Sequence, residues 1–307
     1  MPHISELASV RQDQLLTSIA ISFQLPLRIS DQVAPPIAVL QEDGQYAIFG
    51  KESFNIPDAH RRPKKGYKEI DWTLSKASYH AEEYGLEMRI DDRERRAAPS
   101  NINLDTITVE TITENLLNAR EKRVADMVRN TANITQNVTL TGAQRWDDPL
   151  GGDPIGVIDA GQAVIQAQYG YTANTLTMGW EVWAALRGNP VIKAELLDGE
   201  QLTEARLAAL FGVERIIVGA SMYNSANLNQ TQSLVDMWGT DAILGYINPR
   251  AADGRPSYAY QLRVDDMATF RWRDVPVNCD VLRVREIQAE KLVAPGLAYL
   301  IKTATTP

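Results

Sequence analysis

Apolar positions recur most regularly from residue 105 to about residue 130. There Val109, Ile112, Leu116, Ala119, Val124 and Met127 follow one another at three- and four-residue steps, with one five-residue step after Ala119. This period predicts a single long helix, with Asp105 as its N-cap and Glu110 adding charge near the positive end of the dipole. At about 1.5 Å per residue the helix would span roughly 39 Å, the width of a small domain. Arg120, Glu121, Lys122 and Arg123 occupy its middle and read as a solvated face with local ion pairs.

Elsewhere the pattern is shorter. Residues 1 to about 34 show no clean period, and Pro26, Pro35 and Pro36 hold their neighbours extended, so the segment reads as an arm, apolar enough to need a partner. Residues 46–49, between Gly44 and Gly50, and residues 70–74 read as strands. Between them lies a charged stretch with Arg61, Arg62, Lys64, Lys65 and Lys68, so the pair predicts a long protruding hairpin with a basic tip.

After a turn-rich stretch at 147–156, residues 161–169, 179–186 and 202–211 predict helices, and 175–178, 213–218 and 242–247 predict strands. The remainder to Arg273 reads as strand and loop. Residues 281–287 and 297–301, separated by Ala294, Pro295 and Gly296, read as a closing pair of strands. There is no internal repeat or heptad. The fold class is mixed α+β.

Composition narrows the chemistry. The 307 residues suggest about two domains and a real core, and 44% hydrophobic with 23% charged residues excludes disordered and disulfide-scaffold classes. The single cysteine, Cys279, rules out an internal disulfide and a thiolate metal cluster. His3, His60 and His80 are too far apart to build a local metal centre, so neither metal nor cofactor is expected. The net charge of −8 argues against a general nucleic-acid binder. The N-terminus lacks the pattern of a secretory signal, and the most apolar stretch, 15–29, is broken by Gln24, Pro26 and Arg28, short of the roughly 20 residues of a membrane span. A reducing, soluble compartment is the expectation.

Catalytic patterns are missing as well. Gly151, Gly152 and Gly156 precede no Lys-Ser or Lys-Thr and read as a turn. No GxSxG occurs, and His80, Glu82 and Glu83 lack the second histidine of a zinc protease; His80 reads as packed or hydrogen-bonded. Cys279 beside Asp280 sits in an electronegative setting that raises its pKa, and it reads as a core residue. The basic run at 61–68 admits three readings: a solvated loop, a protein contact or a phosphate contact.

Several stretches together carry a resemblance. They are Ala77-Ser-Tyr-His-Ala-Glu-Glu-Tyr-Gly-Leu-Glu, Ile90-Asp-Asp-Arg-Glu-Arg-Arg, Arg120-Glu-Lys-Arg-Val-Ala, Ile217-Val-Gly-Ala, Leu244-Gly-Tyr-Ile, Val284-Arg-Glu and Gly296-Leu-Ala-Tyr-Leu-Ile. Their order, after an arm and a basic hairpin, resembles the major capsid proteins of tailed bacteriophages, with succession and spacing carrying the likeness. The resemblance implies a Hong Kong 97 type fold. Residues 1–34 would be the N-arm, 35–78 the E-loop, 79–154 plus 276–307 the peripheral domain with a spine helix at about 105–130, and 155–275 the axial domain.

The implied function is structural and not enzymatic: pentamers and hexamers of the chain closing an icosahedral head around DNA that is contacted weakly and without sequence specificity. The implied place is the virion, assembled in the host cytoplasm, with no membrane. Arg61, Arg62, Lys64, Lys65 and Lys68 would meet acids of an adjacent subunit, with Asp91, Asp92 and Glu94 as candidates. The chain begins too near the arm to carry a scaffolding extension, which implies a separate scaffolding protein beside a portal and a decoration protein. No lysine and asparagine are placed for a crosslink. Two rival readings are an encapsulin-like compartment shell and a soluble α+β hydrolase using His80.

Overall fold

Strand pairing among the described residues forms two five-stranded sheets and two two-stranded ones, and one long helix contributes to the cores of both larger sheets. The computed structural model describes residues 11–12, 16–17, 28–48, 60, 75–99, 103–148, 152–195, 202–226, 230–248, 250 and 256–306. The five basic loop residues and the expected strand 70–74 lie outside the described residues. In chain order the elements are β1 (Arg11–Gln12), α1 (Ser30–Val33), β2 (Pro36–Ala38), β3 (Asp43–Ile48), β4 (Ser75–His80), β5 (Glu82–Asp91), α2 (Asp92–Ala97) and α3 (Leu104–Val128). Then follow β6 (Asn137–Thr139), α4 (Pro154–Tyr169), β7 (Thr175–Gly179), α5 (Trp180–Gly188), α6 (Pro190–Ala194), α7 (Glu204–Leu210) and β8 (Arg215–Gly219). The last are β9 (Met222–Asn224), β10 (Leu234–Asp236), β11 (Ala242–Gly245), β12 (Ala259–Asp274), β13 (Cys279–Leu292) and β14 (Ala298–Lys302).

The first sheet has the order β1-β12-β13-β5, with β2 running parallel to the same edge of β12 that β1 takes. Its backbone is the β12–β13 ribbon, whose register slips at Asp265 mark bulges that bend it. On one face Ile90, Met267, Leu282 and Val284 pack against Val109, Ile112 and Leu116 of α3. Beyond this, Tyr79, Ala81, Leu262, Ile287 and Ala289 form a small separate core under the β3–β4 hairpin.

The second sheet, β6-β14-β11-β7-β8, carries the main core. Every residue of β7 and β11 is buried, so these strands lack the alternation of a half-exposed sheet. The stretch around Pro154 that reads as a turn is in fact the start of α4: Asp153 accepts from the Gly156 amide at 2.8 Å, Pro154 fills the first turn, and Gly170, at φ 66°, ends the helix. The strands expected to close the chain as a pair do not pair with each other. β13 is committed along its length to β12 and β5, while the short helical turn at Pro295–Leu297 redirects β14 into the second sheet beside β11.

Two further expectations change. The cap of α3 is Asn103, whose side chain accepts from the Asp105 and Thr106 amides, so Asp105 lies in the first turn. The N-terminal segment, where described, belongs to the subunit's own interior. Ile29, Val33 and Ala34 sit in the main core, Leu16 packs beside α3, and β1 pairs with Arg271 and Phe270.

Candidate functional site

The buried stripe of α3 repeats every four residues through Thr108, Ile112, Leu116, Arg120, Val124 and Val128. Ala119, expected on this stripe, is exposed, and Arg120 takes its place. Reading the central charges as a solvated face therefore fails for Arg120 and Glu121, which are 4% and 0% exposed. Only Lys122, paired with Asp126 one turn on, behaves as a surface charge. The helix crosses from one core to the other at this point: Val109, Ile112 and Leu116 belong to the first-sheet core, and Val124, Ala125 and Val128 to the main core.

Arg120 is held there by Glu286 of β13, itself 1% exposed, with Asp31 3.8 Å away. Burial works against the guanidinium charge, but Glu286 and Asp31 outweigh it and hold the pKa above its ordinary value. The other Glu286 oxygen accepts from Gln288 at 3.1 Å and Arg123 at 3.4 Å, so the buried carboxylate is well satisfied. Arg123 also reaches Glu290 at 3.0 Å and stacks 3.6 Å from the centre of the Tyr84 ring. Burial, aided by a hydrogen bond to Glu82, pushes the Tyr84 hydroxyl up to about 12.

Glu121 faces the other way and gathers donors from three segments. Its carboxylate accepts from the Ile29 and Ser30 amides at 3.0 and 2.8 Å, from the Ser221 hydroxyl at 3.1 Å and from the Trp238 indole at 2.7 Å. The indole reaches it by crossing directly over Gly219, where any Cβ would collide with the ring. At the C-terminal end of α3, Arg129 and Lys302 both bind the buried Asp241, at 2.8 and 2.6 Å. One helix thus ties the N-terminal segment, both sheets and the β9–β10 hairpin together.

Near its N-terminus α3 joins a half-buried lattice of charges. Asp105 and Asp280 are shared by Arg95 at 2.6 and 3.0 Å and by Arg271 at 3.1 Å each. The candidate acids lie beside it, each with a partner in its own chain. Arg273 holds both oxygens of Asp92 at 2.6 Å and keeps that carboxyl below its ordinary value. Asp91 caps α2, and Glu94 completes the capping box by accepting from the Asp91 amide. Cys279 sits partly exposed at the start of β13, not in the core; burial first, then Asp91, push its thiol up, as its electronegative setting predicts.

On the opposite face of the first sheet, Arg283 binds Glu87 at 2.8 Å and lies over Trp272, while Arg285 reaches Glu83 and lies over Phe270. Edge strand β5 pairs only with β13 among the described residues. It leaves Leu86 and Met88 exposed, as β9–β10 leaves Met222 and Leu234. The foot of the β3–β4 hairpin closes with His80 directly opposite Asp43, Nδ1 to Oδ1 2.6 Å, so His80 is hydrogen-bonded as its setting suggests. No helix among the described residues is long and apolar enough to cross a membrane, and none of their His, Cys, Asp and Glu side chains group as metal ligands.

No protein-family model matches the chain. The major capsid protein of Burkholderia phage BcepMu is 28% identical over 311 residues, covering 98% of each chain. The major capsid protein of Pseudomonas phage JBD67 is 27% identical over 310 residues, covering 95% of this chain and 96% of the relative. Among solved structures, a phage-related protein from Bordetella bronchiseptica RB50 superposes with a TM-score of 0.77 at 24% identity, over 96% of this chain and 98% of that one. The capsid of cyanophage P-SCSP1u matches with a TM-score of 0.59 at 9% identity, over 92% and 91%. Sequence and fold agree along nearly the whole length: the chain is a relative of phage major capsid proteins and carries the fold of their shell subunits.

Proposed function

We propose that the chain is the major structural subunit of a phage head, closing an icosahedral shell of pentamers and hexamers around packaged DNA. The observation that carries this reading is the end-to-end match to the BcepMu major capsid protein, 98% of both chains. In the Hong Kong 97 division that this reading implies, 1–34 is the N-arm, 35–78 the E-loop and α3 the spine helix. The peripheral domain is 79–154 plus 276–307 and the axial domain 155–275. Strand pairing favours counting β12 with the peripheral part and β6 and β14 with the axial part.

The role is structural, without catalysis, and the place is the virion, after assembly in the host cytoplasm. A separate scaffolding protein, a portal and a decoration protein complete the set, and DNA is contacted weakly because the chain is acidic overall. Both curated relatives are phage proteins, which favours a head over a cargo compartment. Expression of the full chain with and without the neighbouring phage genes, followed by velocity sedimentation and negative-stain microscopy, tests the proposal. Closed particles, or discrete pentamers and hexamers, are expected. A monodisperse small oligomer under both conditions refutes it.

A further inference from the structure

Glu121 stands where the N-terminal segment and the foot of the β9–β10 hairpin, which share the main core, both turn donors toward one carboxylate. The exposed β9–β10 hairpin has its feet at Ser221 and at Met237 and Trp238, where the Met237 amide donates to the Ser221 carbonyl at 2.9 Å. Both feet donate to Glu121 Oε1, through the Ser221 hydroxyl at 3.1 Å and the Trp238 indole at 2.7 Å. The N-terminal segment uses the same carboxylate: the Ile29 amide donates to Oε1 at 3.0 Å and to Oε2 at 3.2 Å, and the Ser30 amide to Oε2 at 2.8 Å. Glu121 is fully buried and its neighbour Arg120 is committed to Glu286; Arg28 of the N-terminal segment adds charge attraction, and the hydrogen bonds to the carboxylate come from neutral donors of these segments.

We infer that Glu121 is a positioning residue that links the N-terminal segment to the β9–β10 hairpin, so that displacing either one loosens the other. Both elements meet one carboxylate on α3. A shift of that group toward one set of donors lengthens its bonds to the other, and such a coupling is reciprocal. The hairpin carries Met222 and Leu234, 56% and 65% exposed, on one face, since Met222 lies opposite Asp236 and Leu234 two residues before it. Asn224 and Asp236 share this face with them, so in a shell subunit the link would let the seating of residues 28–34 set the angle of a mixed apolar and polar face toward a neighbouring copy. That last step rests on the shell-subunit reading; the link itself does not.

Hydrogen exchange on the unassembled full-length chain tests the link. Glu121→Gln replaces one acceptor with an amide group facing donors, and it should speed exchange about tenfold or more at Ile29, Ser30, Met237 and Trp238 together, with β13 unchanged. Trp238→Phe removes the indole donor but also trims a ring from the core cluster that holds Ile29, so packing alone can speed exchange there. Ser221→Ala removes a donor and no ring, and faster exchange at Ile29 and Ser30 in that variant is the effect a merely local role does not give. It also serves should Glu121→Gln fail to fold. Unchanged Ile29 and Ser30 exchange in Ser221→Ala overturns the link. Particle formation by Ser221→Ala is read separately: loosened exchange with normal particles keeps the link and removes its part in assembly.

Discussion

At the scale of single residues, the most consequential position is Arg120. A buried arginine in mid-helix costs several kcal/mol in desolvation unless its partner is close and itself satisfied, and Glu286 meets both conditions. Arg120→Met alone should destabilise the subunit by about 3–5 kcal/mol, because it leaves Glu286 buried without its main counter-charge. The double change Arg120→Met, Glu286→Leu should recover most of that loss, since an apolar pair of similar volume carries no unpaired charge. Chemical denaturation of the three variants measures this, and equal loss in the single and double variants would contradict it. The sequence pattern misplaced this residue for a definite reason. Arg120 and Glu286 are 166 positions apart, and periodicity counts an arginine as polar until its partner is known. Skipping it produced the odd five-residue step, and including it restores an unbroken four-residue stripe.

At the scale of elements, the foot of the β3–β4 hairpin is pH-dependent. Asp43 accepts from His80 at 2.6 Å and raises the imidazole pKa above its ordinary 6.5, with Glu82 and Glu42 adding to the effect. The folded value is the higher one, so the stabilisation is full below about 6.5 and is lost as pH rises through the folded pKa. Exchange of the Ala81 amide, which donates to the Glu42 carbonyl at 2.8 Å at this foot, should quicken over that interval beyond the ordinary base-catalysed rise. His80→Gln should abolish the excess; its persistence in that variant would show that another group titrates. The hairpin was legible in outline, since residues 46–48 of the expected strand fall within β3; the expected strand 70–74 lies outside the described residues, and β4 at Ser75–His80 pairs with β3. What decided the register was the burial of Tyr79 and Ala81 over Ile287 and Ala289, a contact between segments about two hundred residues apart.

At the scale of the whole molecule, the structure is a frame in which one helix couples two cores while charge and apolar side chains remain at its borders. The proposed E-loop contact belongs to this scale. Asp91, Asp92 and Glu94 have partners in their own chain, yet Asp92 keeps 40% of its side chain exposed beside Arg273, so a basic loop from a neighbour can join the lattice without dismantling it. Changing Arg61, Arg62, Lys64, Lys65 and Lys68 to glutamate should prevent particle formation while the isolated subunit melts within about 2 °C of the parent, the outcome expected of charges that act between subunits. Intact shells from that variant, seen by microscopy, would remove the loop charges from the assembly contact.

The sequence by itself determined that the chain is a mixed α+β protein with a long central helix and a strand at the place of β3, and that it holds only one cysteine and three histidines. Those features are written in local period, turn residues and composition, which need no knowledge of distant partners. Only the tertiary structure decided that the centre of the helix is buried charge, that the N-terminal segment completes the subunit's own core, and that the last two strands part into different sheets. Each of these depends on which remote group arrives to neutralise a charge, cover an apolar side chain or fill a strand edge, and that information resides in the packing of segments far apart along the chain.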